Sequence, residues 1–212
     1  MITIKKYAAI DIGSNAMRLL ITNIVEQKDK ETQFNKSALI RVPIRLGQDA
    51  FTVGEISEEN IDRMVDAMRA FYLLMKVYKV EKYKACATSA MREAYNGKEV
   101  TEIIRQKSEI DIEIIDGKNE AAIIASSDLH SFINSDKNYL YVDVGGGSTE
   151  FSLFSDGKMV AAKSFKNGTV RLLNSMVNEI VWEEIEKWIK TTTEGYDDII
   201  LIGSGGNINK LF

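Results

Sequence analysis

Apolar and polar positions fall into two alternating patterns along the chain. Short apolar runs give way to segments whose apolar residues recur every three or four positions, so strands and amphipathic helices are expected in turn. Tyr7-Ala8-Ala9-Ile10-Asp11-Ile12 enters Gly13-Ser14-Asn15, and a second run, Leu19 to Ile24, completes a predicted hairpin. Ala38 to Leu46 predicts a third strand, and Pro43, the only proline, puts it at an edge or a bulge. Ser57-Glu58-Glu59 has the hydroxyl cap and first-turn acids of a helix start. Ile61, Met64, Val65, Met68, Phe71, Leu74 and Met75 supply that helix with one buried face. Tyr83 to Ala87 is a short strand that breaks at Thr88-Ser89 into a helix carrying Arg92. Val100 to Lys107 predicts a helix and Ile110 to Ile115 a strand, and Asp116 to Glu120 leads into an apolar helix from Ala121 to Leu129.

Asn134 to Asn138 is polar and marks a domain boundary, dividing 1–134 from 139–212. Beyond it the opening pattern returns. Tyr139-Leu140-Tyr141-Val142-Asp143-Val144 enters Gly145-Gly146-Gly147-Ser148-Thr149-Glu150, and Phe151 to Phe154 follows as a second strand. Setting Asp11 on Asp143 puts Ile10 on Val142, Ile12 on Val144 and Gly13 on Gly145. Two copies of strand, carboxylate, glycine turn and strand predict an α/β protein of duplicated, facing subdomains. The second copy continues with a strand from Met159 to Ser164 and a helix start near Gly168-Thr169-Val170-Arg171. An amphipathic helix with Trp182, Ile185, Trp188 and Ile189 comes next, and a buried strand from Ile199 runs into Gly203-Ser204-Gly205-Gly206-Asn207. This copy stops at Phe212, so its C-terminal part is expected to be missing.

Composition narrows the partners. The chain has 212 residues, is 45% apolar and 27% charged, and carries a formal net charge of −4, which disfavours DNA as a partner. No apolar stretch reaches the ~18 residues of a membrane span. The N-terminus reads as a strand and not as a signal peptide, so the cytoplasm is the expected compartment. Cys86, the single cysteine, excludes a disulfide framework and reads as a small buried hydrophobe.

The glycine turns carry the candidate chemistry. Successive N–H groups in such a turn form a concave anion site, to which Ser148 and Thr149 add hydroxyls. Asp143 and Glu150 repel anions by themselves and make sense where a hard cation or a water is held. Arg92, just past a strand end, suits a two-pronged grip on phosphate or an ordinary surface ion pair. Glu120 lies where a strand hands over to a helix; it is either a dipole-stabilised helix acid or a base that deprotonates an attacking water. His130 reads as a helix C-terminal charge.

The segments Asp11 to Ile21 (DIGSNAMRLLI), Ala87 to Ala94 (ATSAMREA), Ile112 to Ile124, Val142 to Glu150 (VDVGGGSTE), Gly168 to Leu172 (GTVRL) and Ile202 to Asn207 together resemble the exopolyphosphatase and guanosine pentaphosphate phosphatase (Ppx/GppA) family. That family lies within the actin, sugar-kinase and Hsp70 ATPase superfamily. The resemblance implies two ribonuclease-H-like domains, an interdomain cleft and hydrolysis of a terminal phosphoanhydride with Mg2+ or another divalent cation. It implies Glu120 as catalytic base, and Asp143 and Glu150 as acids serving catalysis and metal. Asp11, Ser14, Asn15, Arg92, Gly145, Gly146, Gly147, Ser148, Thr149 and Gly205 are the implied substrate contacts. A homodimer is implied by analogy. The family pattern EEAR around the base is here Asn119-Glu120-Ala121-Ala122, lacking one acid and the arginine. Inorganic polyphosphate is the expected substrate and guanosine pentaphosphate the alternative. The rivals are a superfamily kinase or ATPase and a non-catalytic phosphate sensor.

Overall fold

The computed structural model describes residues 2–117, 119, 120, 123 and 136–206. It divides into two compact units, Met1–Ile115 and Asp116–Phe212. Most residues between that division and the boundary expected at 134–139 lie outside the described residues, as do the apolar helix from Ala121 and His130.

In the first unit, β1 (Ile2–Ile12) and β2 (Ala16–Gln27) form the predicted hairpin, with Asp11 opposite Arg18 and Ile12 opposite Met17. β3 (Gln33–Pro43) pairs antiparallel with β2, while β4 (Lys82–Ala87) and then β5 (Glu113–Ile114) add in parallel. The sheet order is β3-β2-β1-β4-β5. Pro43 is the last residue of β3, the edge strand of the sheet, as its presence predicts. Ile44 to Leu46, expected to continue that strand, instead leave it: Arg45 is left-handed at φ 65°, and α1 (Leu46–Thr52) begins there. β5 also shrinks from the expected run to two residues, because only Glu113 and Ile114 pair with β4; Ile110 and Ile115 are buried outside the ladder.

Alternation decides which face is core. Ala8, Ile10 and Ile12 of β1 and Met17, Leu19 and Ile21 of β2 share one face, buried beneath α1, α2 (Glu58–Tyr78), α3 (Ser89–Glu93) and α4 (Gly97–Ser108). From α2 come Met64, Val65, Met68, Phe71 and Met75, the face the spacing predicts. Asp11 and Cys86 project to the opposite face. Cys86 is therefore half-buried, not a core residue, and burial pushes its thiol pKa up.

The second unit repeats the first four strands. β6 (Tyr139–Val144), β7 (Thr149–Ser155), β8 (Lys158–Phe165) and β9 (Ile200–Ser204) give the order β8-β7-β6-β9, with β6 antiparallel to β7 and parallel to β9. α5 (Thr169–Leu173) follows β8, and α6 (Glu179–Thr193) packs on one sheet face. There Trp188 meets Phe151 and Phe165 at ring-centroid distances of 6.0 and 6.1 Å. β9, expected to be buried, is the last strand in the order, and Leu201 is 69% exposed.

A capping network fixes the start of α2. Asp49 accepts from the Ser57 amide (3.0 Å), the Ser57 hydroxyl (2.6 Å) and Asn60 Nδ2 (2.7 Å), while Ser57 caps the helix. Burial alone would raise the Asp49 pKa, but these donors and nearby Arg63 hold it below the usual carboxylate range. A lowered folded-state pKa contributes stability above the unfolded value of about 3.9, and that contribution is lost as pH falls through the folded value. The advantage of the unchanged chain over Asp49→Asn in urea unfolding is expected to shrink as pH falls from about 5 to about 3. A difference that does not vary with pH would exclude this role.

Candidate phosphate and metal site

Each hairpin closes with the same four-residue turn. The Gly13 amide donates to Ala16 O at 3.1 Å, and the Gly145 amide donates to Ser148 O at 2.9 Å. The turns differ in what stands behind them.

In the first unit the loop entering α1 holds the turn. The Arg45 amide donates to Asn15 O at 3.0 Å and the Gly47 amide to Ser14 O at 2.7 Å. A Cβ on Gly47 would come within 3.0 Å of Ser14 Cβ, so this approach requires glycine. Sequence reasoning missed this brace, since it read the segment as strand; the left-handed residue before Leu46-Gly47 has no pattern of its own. Ser14 is buried and shares a 2.9 Å hydrogen bond with Ser89 at the start of α3, while Asn15 is exposed. Asp11 accepts from Arg18 Nη1 at 3.0 Å, and both side chains are nearly half exposed. Arg92 donates to the Ile115 carbonyl at 2.7 Å, so one edge of its guanidinium serves the fold.

In the second unit, residues 168–171 capture the carbonyls of all three glycines. Gly145 O accepts from the Thr169 amide (3.0 Å), Gly146 O from the Val170 amide (2.8 Å) and Gly147 O from Arg171 Nε (2.7 Å). The closeness depends on Gly168, whose Cβ would lie 2.3 Å from Gly146 O and 2.5 Å from the Gly147 carbonyl carbon. In each of these planar peptide units the N–H points away from its carbonyl. The amides of Gly146, Gly147 and Ser148 therefore face away from the 168–171 strap, the arrangement of an anion nest. No partner among the described residues takes the Gly146 or Gly147 N–H. The hydroxyls of Ser148 and Thr149 are committed elsewhere, to Glu150 Oε1 at 2.5 Å and to the Asn167 carbonyl. What this turn presents to an anion is thus backbone.

Beside it, register lines up four polar side chains across the sheet. Ser204 stands opposite Asp143, Asp143 opposite Glu150, and Glu150 opposite Ser164. Directly paired residues share a face, so Asp143 and Glu150 are neighbours on the face away from α6. Ser204 donates to Asp143 Oδ1 at 2.9 Å, and Ser164 donates to Glu150 Oε1 at 2.8 Å. Tyr141 lies on the same face; burial, chiefly, pushes its phenol pKa up. Gly205, at φ 107°, brings the end of β9 close, because a Cβ there would lie 2.4 Å from Val144 O and 3.1 Å from Asp143 Oδ1.

Glu120 falls in the second unit. Asp116 caps its helix, accepting from the Asn119 amide with Oδ1 (2.7 Å) and from the Glu120 amide with its carbonyl (2.9 Å). Gly117 lies against Ser164, with a built Cβ 2.9 Å from Ser164 Cβ. The helix start thereby meets the residue that holds Glu150, and Glu120 Oε2 is shielded from solvent.

The diacid fits a hard cation. Mg2+ is commonly held by one or two carboxylates together with water and phosphate oxygens, and Asp143 and Glu150 stand side by side, oriented by serine hydroxyls. Among the described residues no group of three or more His, Cys, Asp or Glu is placed to hold a metal, so substrate or water would complete such a shell.

Residues 23–194 match the Ppx/GppA phosphatase family. The chain belongs to this family. Three curated relatives illustrate the likeness. A bifunctional 3-dehydroquinate synthase/phosphatase of Fusobacterium nucleatum is 30% identical over 90% of this chain and 30% of its own length. A guanosine-5'-triphosphate,3'-diphosphate pyrophosphatase of Vibrio parahaemolyticus is 29% identical over 97% of this chain and 42% of its own. A putative exopolyphosphatase of Haemophilus influenzae is 28% identical over 79% and 50%. The chain thus spans between 30% and 50% of these relatives. The crystal structure of the Aquifex aeolicus Ppx/GppA family member aligns with a TM-score of 0.75 at 27% identity, covering 99% of this chain and 69% of that one. The expected α/β fold of the Ppx/GppA family is therefore the fold of this chain.

Gly205→Ala is expected to destabilise the protein by more than about 1 kcal/mol, since it combines a left-handed residue with a backbone clash. Chemical denaturation measures it, and an unchanged midpoint would show that β9 does not need this approach to Asp143.

Proposed function

We propose that the chain forms the phosphate-handling part of a phosphoanhydride hydrolase that removes the terminal phosphate of inorganic polyphosphate. The carrying observation is the triple-glycine nest beside the paired acids Asp143 and Glu150. Phosphoryl transfer requires chiefly positioning and charge stabilisation, and these groups supply both. The amides of Gly146, Gly147 and Ser148 bind phosphoryl oxygens; the Ser14-Asn15 turn and Arg92 are further substrate contacts, and Asp11 orients Arg18. A divalent cation such as Mg2+, held by Asp143 and Glu150, would neutralise charge on the phosphoryl oxygens. Gly205 lets the end of β9 approach Asp143, and the serine hydroxyls orient both acids by donating to them.

Glu120 accepts a proton from the attacking water. The water oxygen bonds to the terminal phosphorus, the bridging P–O bond breaks, and the bonding pair leaves with the shortened chain. Asn119 and Ala122 take away an acid and an arginine that the family commonly places around the base, so the grip on phosphate near Glu120 is weaker than the family pattern supplies. Guanosine pentaphosphate is the second reading, favoured by the activity named for the Vibrio parahaemolyticus relative. The cytoplasm is the proposed compartment and a homodimer the proposed assembly.

Glu120→Gln is expected to lower phosphate release from polyphosphate with Mg2+ by at least about 100-fold, the scale of general-base catalysis, with polyphosphate binding retained. Colorimetric phosphate release and a binding titration measure the two halves, run in parallel on guanosine pentaphosphate. Turnover retained by pure Glu120→Gln would remove this carboxylate from the mechanism.

A further inference from the structure

Arg171 is the one arginine or lysine among the buried residues described, at 9% exposure, and its Nε donates at 2.7 Å to the carbonyl of Gly147. Removing a guanidinium from water is costly, and the hydrogen bond to the Gly147 carbonyl is one of the contacts that offset that cost. The carbonyl belongs to the peptide unit whose other end is the Ser148 N–H. A charge-assisted hydrogen bond is about twice as strong as a neutral one, and hydrogen bonds in series polarise one another. The other two nest amides have ordinary backbone amides behind them, from Thr169 and Val170.

We propose that Arg171 is a positioning residue for phosphate binding: from behind the turn it orients the Gly147–Ser148 peptide and strengthens the Ser148 N–H as an anion donor. The inference rests on the phosphate-hydrolase reading of the same turn and assigns a buried cation to it without direct contact with substrate. The strap explains why the cation sits there. Gly168 brings residues 169–171 against the turn, and α5 places Arg171 two residues after Thr169, opposite the last glycine.

The test compares the unchanged 212-residue chain with Arg171→Met, of similar length and uncharged, and Arg171→Lys, which keeps charge and a donor. Tripolyphosphate binding is followed by calorimetry and polyphosphate hydrolysis by phosphate release. Arg171→Met is expected to weaken tripolyphosphate binding about tenfold, as for a lost charged hydrogen bond. KM should rise by a similar factor with kcat within about twofold, since nest donors hold bound phosphate in ground and transition states alike. Arg171→Lys is expected to recover most of the loss. A purely structural arginine would instead lower the melting temperature while leaving the affinity of the folded protein untouched, and that result overturns the proposal.

If Arg171→Met does not fold, the unchanged chain still decides. In NMR spectra the Arg171 Nε–H and Ser148 N–H resonances are expected to shift together on addition of tripolyphosphate. A Ser148 shift with no response at Arg171 overturns the coupling. Failure of the unchanged chain to bind tripolyphosphate would instead sink the hydrolase reading, and this inference with it.

Discussion

The site depends on how three successive carbonyls are bound. A glycine turn by itself has no preferred side from which to meet an anion. In the second unit every carbonyl of the triple glycine is drawn toward residues 169–171, and peptide planarity then fixes the direction of the amides. Gly168 makes this possible, because any side chain there would hold the strap off the turn. The first unit reaches a similar end with different parts, using the entry to α1 as a brace under Ser14 and Asn15.

Both units also use strand register to separate core from chemistry. In each, one sheet face is given to helices and the other bears the carboxylate at the end of the first strand. Asp11 and Asp143 are therefore fixed by the same alternation that buries Ile10 and Ile12 in one unit and packs Leu140 beneath α6 in the other. The polar row in the second unit needs no special loop. Four strands in register, with Ser, Asp, Glu and Ser at one level, suffice.

Most of the framework was legible in the sequence because it rests on periodicity and on a repeated turn. The hairpins, α2 with its Ser57 cap, the parallel strand before Thr88 and the amphipathic α6 all follow local pattern, and aligning Asp11 with Asp143 found the duplication. What escaped depends on partners distant in sequence. α1 is seven residues long and begins at a left-handed arginine, so it has neither the length nor the cap of a helix signal. The exposure of β9 depends on its place in the sheet order, and that of Cys86 on which face its strand turns to the helices. The hydroxyls of Ser148 and Thr149 look like anion donors in a string of letters; only the fold shows their hydrogens directed inward. Arg171 lay in a recognised motif, but its role depends on Gly147 lying behind a turn formed 24 positions earlier.

The two hairpins differ at one matched level. Opposite its aspartate, the first carries Arg18 where the second carries Glu150. One exchange of sign separates two otherwise parallel designs: the former half sets a cation against its aspartate, while the latter sets a second acid there. The duplicated scaffold has thus become polarised, one half matching opposite signs at this level and the other doubling one sign.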